Sequence, residues 1–197
     1  MKNNTTTTLT KKIVAGKFKG KSLKLPSKET TRSSKMIVVE SFFNTIQFDV
    51  IDSVMVEMFS GSGSIGLEAL SRGAKKIFFM ERDRDAIKAL RENIAQTDPR
   101  ACEVIEGDTF NTITQVKKRL EALGESAFIY IDPPFSIREG MEEIYNKTLR
   151  LIASLPLDMV RLIVIEHMSG LELPEMIGEF KQIKAKKFGK TSLTYYA

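Results

Sequence analysis

From residue 53 onward, short apolar runs alternate with longer amphipathic stretches. The runs fall at 53–59 (SVMVEMF), 76–81 (KIFFME), 102–107 (CEVIEG), 127–132 (AFIYID) and 161–166 (RLIVIE). Between them lie stretches of helical length at 64–72, 83–96, 110–123 and 138–154. In the second, Ile87, Leu90 and Ile94 recur at i, i+3 and i+7, one face of a 3.6-residue helix. Apolar strands alternating with such helices predict βαβ units around a parallel sheet. Two late segments, 181–188 and 191–196, are split by Gly189 and predict an antiparallel pair at the sheet edge. Upstream, 33–46 (SSKMIVVESFFNTI) places Ile37, Glu40, Phe43 and Asn44 at helical offsets, with Ser33 or Ser34 as N-cap. Residues 12–26 (KIVAGKFKGKSLKLP), with glycines at 16 and 20, predict a small hairpin or curled strand pair. Residues 1–11 are polar and Thr-rich and read as a disordered tail. No internal repeat interrupts this order.

At 197 residues and 42% hydrophobic, the chain can build one self-sufficient core with a small addition. No apolar run approaches a membrane span, and the opening MKNNTTTTLT has no apolar stretch of a signal peptide. The single cysteine, Cys102, excludes an internal disulfide, and one Cys with one His gives no metal cluster. A cytoplasmic protein without a metal, and with no membrane contact, is expected. The net charge of +5 conceals an asymmetry: residues 1–35 carry +9, residues 36–180 carry −9 and residues 181–197 carry +5. An acidic body with basic ends points to a polyanionic partner.

The first apolar run leads into EMFSGSGSIGLEALSRG, where Gly61, Gly63 and Gly66 form G-x-G-x-x-G between a strand and a helix. Gly61 suits the tight turn, Gly63 a close approach of ligand to backbone, and Gly66 close packing of helix on sheet. Glu81 lies twenty residues beyond Gly61, ending the next strand, where a carboxylate can accept from both hydroxyls of a ribose. These features fit any adenosine-containing cofactor. Glu57, just before the loop, puts negative charge where a pyrophosphate would sit, which favours a cationic ligand such as S-adenosyl-L-methionine. Asp108, after the third strand, adds an acceptor along the same sheet edge, where open α/β sheets bind ligands.

The fourth strand ends in Asp132-Pro133-Pro134-Phe135. Proline cannot pair in the sheet, so a carboxylate, two rigid residues and an aromatic ring are held at a strand end. An exocyclic amine on a nucleobase is a poor nucleophile because its lone pair is delocalised into the ring. Two acceptors on its N–H groups, the Asp132 carboxylate and the Pro133 carbonyl, would favour localisation, and they strengthen as positive charge develops. Phe135 would stack on the base.

These segments, EMFSGSGSIGLEALSRGAKKIFFMERD with IDPPF, resemble the class I methyltransferases that use S-adenosylmethionine. More narrowly they resemble the RsmD family of bacterial 16S rRNA guanine-N2 methyltransferases. The stretch Ile13–Gly20, the LEALSRGA at 67–74, Glu166-His167 and Gly189-Lys190-Thr191 carry the likeness, which covers residues 12–197. The resemblance implies a Rossmann-like α/β sheet of seven strands, the last antiparallel, with helices on both faces and an N-terminal hairpin. It implies that Glu57, Gly61, Gly63, Glu81 and Asp108 hold S-adenosyl-L-methionine and that Asp132, Pro133 and Phe135 hold the guanine, expected at rRNA position 966. The substrate implied is 16S rRNA in a small-subunit assembly intermediate or the 30S subunit, met by a monomer. The expected division is a tail at 1–11, an RNA-contacting hairpin at 12–32 and a methyltransferase domain at 33–197. Lys12, Lys17, Phe18, Lys19, Lys21, Lys24 and Arg32 are the expected RNA contacts. The chain departs from the family's usual pattern at Glu57, where an Asp is usual, and at Met36, Ile37 and Val39, where charged residues are usual. Two rivals remain at this point: an amino-methyltransferase on another RNA or DNA base, and a nicotinamide-dependent dehydrogenase, which would leave Asp132 to Phe135 without a role.

Overall fold

The computed structural model describes residues 9–26, 36–134 and 143–197. The polar start of the chain (1–8), Arg32, the Ser33 and Ser34 cap, Phe135 and the start of the 138–154 helix lie outside those residues. The described chain begins with a hairpin of β1 (Thr10–Lys12) and β2 (Ser22–Lys24), followed by α1 (Met36–Thr45). Next come β3 (Val54–Met58), α2 (Ser64–Ser71), β4 (Lys76–Glu81), α3 (Arg84–Ala95), β5 (Cys102–Glu106), α4 (Thr109–Leu123) and β6 (Ala127–Ile131). The last elements are α5 (Ile144–Ala153), β7 (Val160–Met168), β8 (Met176–Ile177), β9 (Phe180–Phe188) and β10 (Thr191–Tyr196). No helix of the described residues is long and apolar enough to cross a membrane.

The main sheet has the order β5-β4-β3-β6-β7-β10-β9-β8. The first five strands in that order are parallel, and β10 runs antiparallel to both β7 and β9. The expected seven-strand sheet is therefore present. Met176–Ile177 adds an eighth strand beyond β9, too short to leave any pattern in the sequence. β3 and β6 are buried along their whole length, which is why their runs are continuously apolar. From β3 the chain steps outward to β4 and β5, then returns to the other side of β3 as β6. The crevice between β3 and β6 is the switch point of the sheet, and all five parallel strands end on that edge.

Two apolar layers cover the sheet. One gathers Phe42, Phe43, Ile65, Leu67, Phe79 and Tyr130 under α1, α2 and the hairpin. The other gathers Met80, Ile113, Val116, Ile131, Ile152 and Ile165 under α4 and α5. The buried stripe of α1 is Val38, Val39, Phe42 and Phe43, with Glu40 and Asn44 outside. The ring of Phe42 packs on Tyr130 at 4.9 Å and fixes the rotation of the helix. Of the three positions where charge is missing, Met36 and Ile37 are exposed, while Val39 is a core residue.

The hairpin is fastened to the body. Ile13 and Leu23 enter the core. The amides of Val14 and Ala15 donate to the carboxylate of Glu68 on α2 at 2.7 and 3.0 Å, and that carboxylate also takes Arg72 Nε at 2.8 Å. Lys17 N donates to Ser71 O at 2.7 Å, and Phe18 N to Ser71 Oγ at 2.9 Å. On the far strand, Lys24 N donates to Asn93 Oδ1 at 2.8 Å, and Asn93 Nδ2 returns to Lys24 O at 2.9 Å. Gly16, at φ +80, lies so near α2 that a Cβ there would sit 1.8 Å from Ser71 O. Only glycine fits that approach.

Candidate cofactor and nucleobase site

Between β3 and α2 the loop turns through three left-handed residues, Phe59 (φ 57), Gly61 (φ 51) and Gly63 (φ 76). Ser60 N is anchored to Met80 O at 3.0 Å, and Gly63 N closes the turn on Ser60 O at 2.7 Å. Gly63 and Gly66 are both packing glycines. A Cβ on Gly63 would meet Leu90 Cδ1 at 2.3 Å, and one on Gly66 would meet Phe79 Cε1 at 2.5 Å. The expectation for Gly63 was room for a ligand; its amide and its Cβ direction are instead taken up inside the protein.

Glu57 is buried on β3, with Oε1 accepting from Ile65 N at 3.2 Å and Oε2 from Gly66 N at 2.8 Å. Its charge thus satisfies orphan amides at the start of α2 and lies along the helix dipole. Glu81 ends β4 and is also buried. Oε2 accepts from Gly61 N at 2.7 Å, while Oε1 accepts from Arg82 N at 2.8 Å and Asp83 N at 2.9 Å. A carboxylate has about four acceptor positions. One position remains, on the oxygen that faces the loop, so gripping both hydroxyls of a ribose requires exchange of the Gly61 bond. Asp108 caps α4 through Phe110 N at 3.0 Å and meets Arg82 Nη1 at 3.2 Å, with acceptor capacity to spare.

Asp132 follows Ile131, which pairs with Met58 of β3 on one side and Ile165 of β7 on the other. The half-buried carboxylate of Asp132 therefore stands at the switch point, beside the start of the glycine loop and beside Glu166. Pro133 is buried and Pro134 half-buried, so the turn is held from behind. Glu166 is buried and accepts from Tyr130 OH at 2.6 Å. His167 is no free base: Nδ1 lies 3.0 Å from Met168 O and Nε2 lies 2.8 Å from Thr194 Oγ1. Burial holds its pKa below the ordinary value. Burial also pushes the Cys102 thiol up to about 12, which leaves it unreactive.

Two residues were not singled out by sequence reasoning. Phe59 holds a backbone conformation rare for an aromatic residue, and its ring meets Phe110 edge-on at 5.8 Å. The pair makes an apolar wall next to Asp108, suited to a planar ring. The available signal was an aromatic just before the glycine loop, Phe59, and one in the first turn of α4, Phe110. Beyond this wall, an open cleft of about 590 Å³ runs between α4 and α5, lined by Asp108, Asn111, Lys147 and Arg150.

The structure thus brings Gly61, Glu81, Asp108 and Asp132 to one edge and sets Glu57 and Gly63 behind the loop. Of the expected RNA contacts, Lys12, Lys17, Lys19 and Lys21 are exposed, and Lys17 and Lys21 lie 5.3 and 5.8 Å from the Phe18 ring. Phe18 itself packs on the core, and Lys24 pairs with Glu92 at 2.5 Å. Phe18 is therefore less available for base stacking than the sequence suggested.

The wound sheet, the glycine loop at its switch point and the antiparallel β10 define a class I methyltransferase fold. A solved structure named "Putative methyltransferase yhhF from Escherichia coli" superposes with a TM-score of 0.74 at 26% identity, covering 95% of this chain and 97% of that one. The family model described as conserved hypothetical protein 95 matches residues 11–197, and the chain belongs to that family, the RsmD family. "Putative rRNA methyltransferase YlbH" of Bacillus subtilis is 31% identical over 189 residues, 94% of this chain and 97% of that protein. "Ribosomal RNA small subunit methyltransferase D" of Haemophilus influenzae is 31% identical over 126 residues, 63% of each chain.

Proposed function

We propose that this protein transfers a methyl group to the exocyclic N2 of a guanine in 16S rRNA, at position 966, presented in a small-subunit assembly intermediate or the 30S subunit. The observation that carries the reading is Asp132-Pro133 held rigidly at the switch point beside the glycine loop. The cofactor is S-adenosyl-L-methionine, which when bound supplies an electrophilic methyl group on a sulfonium centre. The residues present fit it: a turn of left-handed residues, a spare acceptor position on Glu81, an acceptor at Asp108 and the Phe59–Phe110 wall.

Glu81 holds the ribose and Phe59 with Phe110 flanks the adenine. Glu57 keeps the loop in place by holding the start of α2. Asp132 accepts one N–H of the guanine amine and the Pro133 carbonyl accepts the other. Both acceptors bind the amine more strongly as it becomes cationic, so they lower the barrier and not merely the binding energy. The proton leaves after transfer, when the nitrogen is acidic, so Asp132 need not be a strong base. Phe135 stacks on the guanine plane. The test is Asp132→Ala: the expected result is a kcat at least about 10²-fold lower with unchanged affinity for S-adenosylhomocysteine. Near-normal turnover in a folded variant would remove Asp132 from the mechanism.

A further inference from the structure

A second basic surface lies on β9, near the end of the sheet away from β4 and β5. Residues 180–197 contain five lysines and no acid. β9 is an edge strand: β8 pairs only with Phe180 and Lys181, and no described strand covers the outer side of 183–188. Because β10 is antiparallel to both β7 and β9, β9 runs parallel to β6 and β7 and ends on the same edge as Asp132. The register makes this concrete. Glu166 pairs with Leu193, and Leu193 pairs with Lys186, so Lys186 shares a row with the position next to Asp132. Lys187 shares the following row with Ser192 and His167. Three strand spacings separate β6 from β9, about 14 Å.

Among the described residues these lysines have no acidic partners. None of the ion pairs among the described residues involves Lys184, Lys186, Lys187 or Lys190. Lys186 donates to Ser41 Oγ at 3.0 Å, and Lys184 lies 5.8 Å over the Tyr195 ring. Partial burial and the neighbouring Lys184 charge lower the Lys186 pKa. Glu175 and Glu179 flank β8, at the end of β9 away from the site, while Glu172 follows the turn after β7 in which Ser169 N donates to Lys190 O at 3.0 Å. The hairpin differs: Lys24 is neutralised by Glu92, and its core-facing side is consumed by α2 and α3.

We propose that the end of β9 and its following turn, through Lys184, Lys186, Lys187 and Lys190, form the principal phosphate-binding surface for RNA flanking the target base. The inference rests on the reading that the substrate is RNA. Lysines on an edge strand neutralise phosphates without reading sequence, and the uncovered backbone of the edge supplies further donors. An acidic body needs such a surface near the site, because extracting a base from its stack is itself unfavourable by a few kcal/mol.

The test is the salt dependence of binding of a labelled 20-nucleotide single-stranded RNA, read by fluorescence anisotropy. The variants are Lys184→Gln/Lys187→Gln/Lys190→Gln, all at exposed positions, and Lys12→Gln/Lys17→Gln/Lys19→Gln on the hairpin. The expected result is a salt slope lower by about 2 for the β9 variant, ~0.7 for each phosphate no longer neutralised, and a smaller change for the hairpin variant. Melting temperature and S-adenosylhomocysteine affinity should hold in both. If the triple variant folds poorly, Lys187→Gln alone should lower the slope by about 0.7. A wild-type slope in the β9 variant overturns this proposal and leaves the proposed activity standing. Failure of the wild-type protein to bind RNA at all would overturn both.

Discussion

Replacing Glu68 by alanine should loosen the hairpin and cost several kcal/mol of stability, although Glu68 is remote from the reacting atoms. Its side chain is 2% exposed and accepts from three donors: Val14 N, Ala15 N and Arg72 Nε. Truncation leaves two amides of the hairpin without an acceptor, at about 1–3 kcal/mol each. Arg72 loses its carboxylate but keeps its place over the Phe43 ring at 4.7 Å, so its share is the smaller one. Removing one partner from a buried charged pair is worth about 3–5 kcal/mol, and we take that as the total. For a chain of this size each kcal/mol moves the melting temperature by roughly 2–4 °C, which gives a fall of about 6–20 °C. Thermal unfolding followed by circular dichroism measures it, and limited trypsin digestion should show faster cleavage at Lys17 to Lys24. A melting temperature within about 2 °C of wild type, with unchanged digestion, would refute the claim that Glu68 ties the hairpin to the body. Deleting residues 1–25 would uncover Glu68, Asn93 and part of the core, so point substitutions are the proper probes of the hairpin lysines.

Gly63→Ala should lower the melting temperature with or without cofactor, because φ +76 and the nearness of Leu90 and Phe79 forbid a Cβ; the left-handed conformation costs about 1–2 kcal/mol and overpacking about 1–3. An effect confined to cofactor affinity would restore the ligand-approach reading. Glu81→Ala should weaken S-adenosylhomocysteine binding in calorimetry by roughly 1.5–3 kcal/mol for each charged hydrogen bond removed, and an unchanged dissociation constant would show that Glu81 serves the loop alone. His167 is held neutral by burial, so the unfolded chain binds its proton first as pH falls. Stability should therefore fall below about pH 6.5 with a slope of up to ~1.36 kcal/mol per pH unit, and His167→Gln should flatten that limb of a pH series of denaturation curves.

The fold was legible because a parallel sheet buries both faces of its strands and leaves long apolar runs between amphipathic helices. The rotation of α1 was harder to read: Ile37 and Val38 are equally apolar, and only the packing of Phe42 on Tyr130 chooses between them. Strand β8 has two residues and so no periodicity. At the site, Gly61, Glu81 and Asp132 stood out because a strand-loop-helix context gives each a position on the sheet edge. Their hydrogen bonds did not, since the sequence says nothing about which amide a carboxylate meets. Glu57 and Gly63 show the consequence: residue type and place were evident, but one is spent on α2 and the other on packing. The hairpin's dependence on Glu68 and Asn93 was equally hidden, because those hydrogen bonds join positions more than fifty residues apart.

The central claim is that the turn at Asp132 presents a guanine amine for methylation. Purified protein should be incubated with methyl-labelled S-adenosylmethionine and small ribosomal subunits from a strain lacking this gene. The 16S rRNA is then digested and its nucleosides are separated by mass spectrometry. The account predicts label in N2-methylguanosine, mapping to position 966, and none when Asp132→Ala replaces the wild-type protein. Label on another base or on a ring nitrogen, or equal label with the variant, would contradict it.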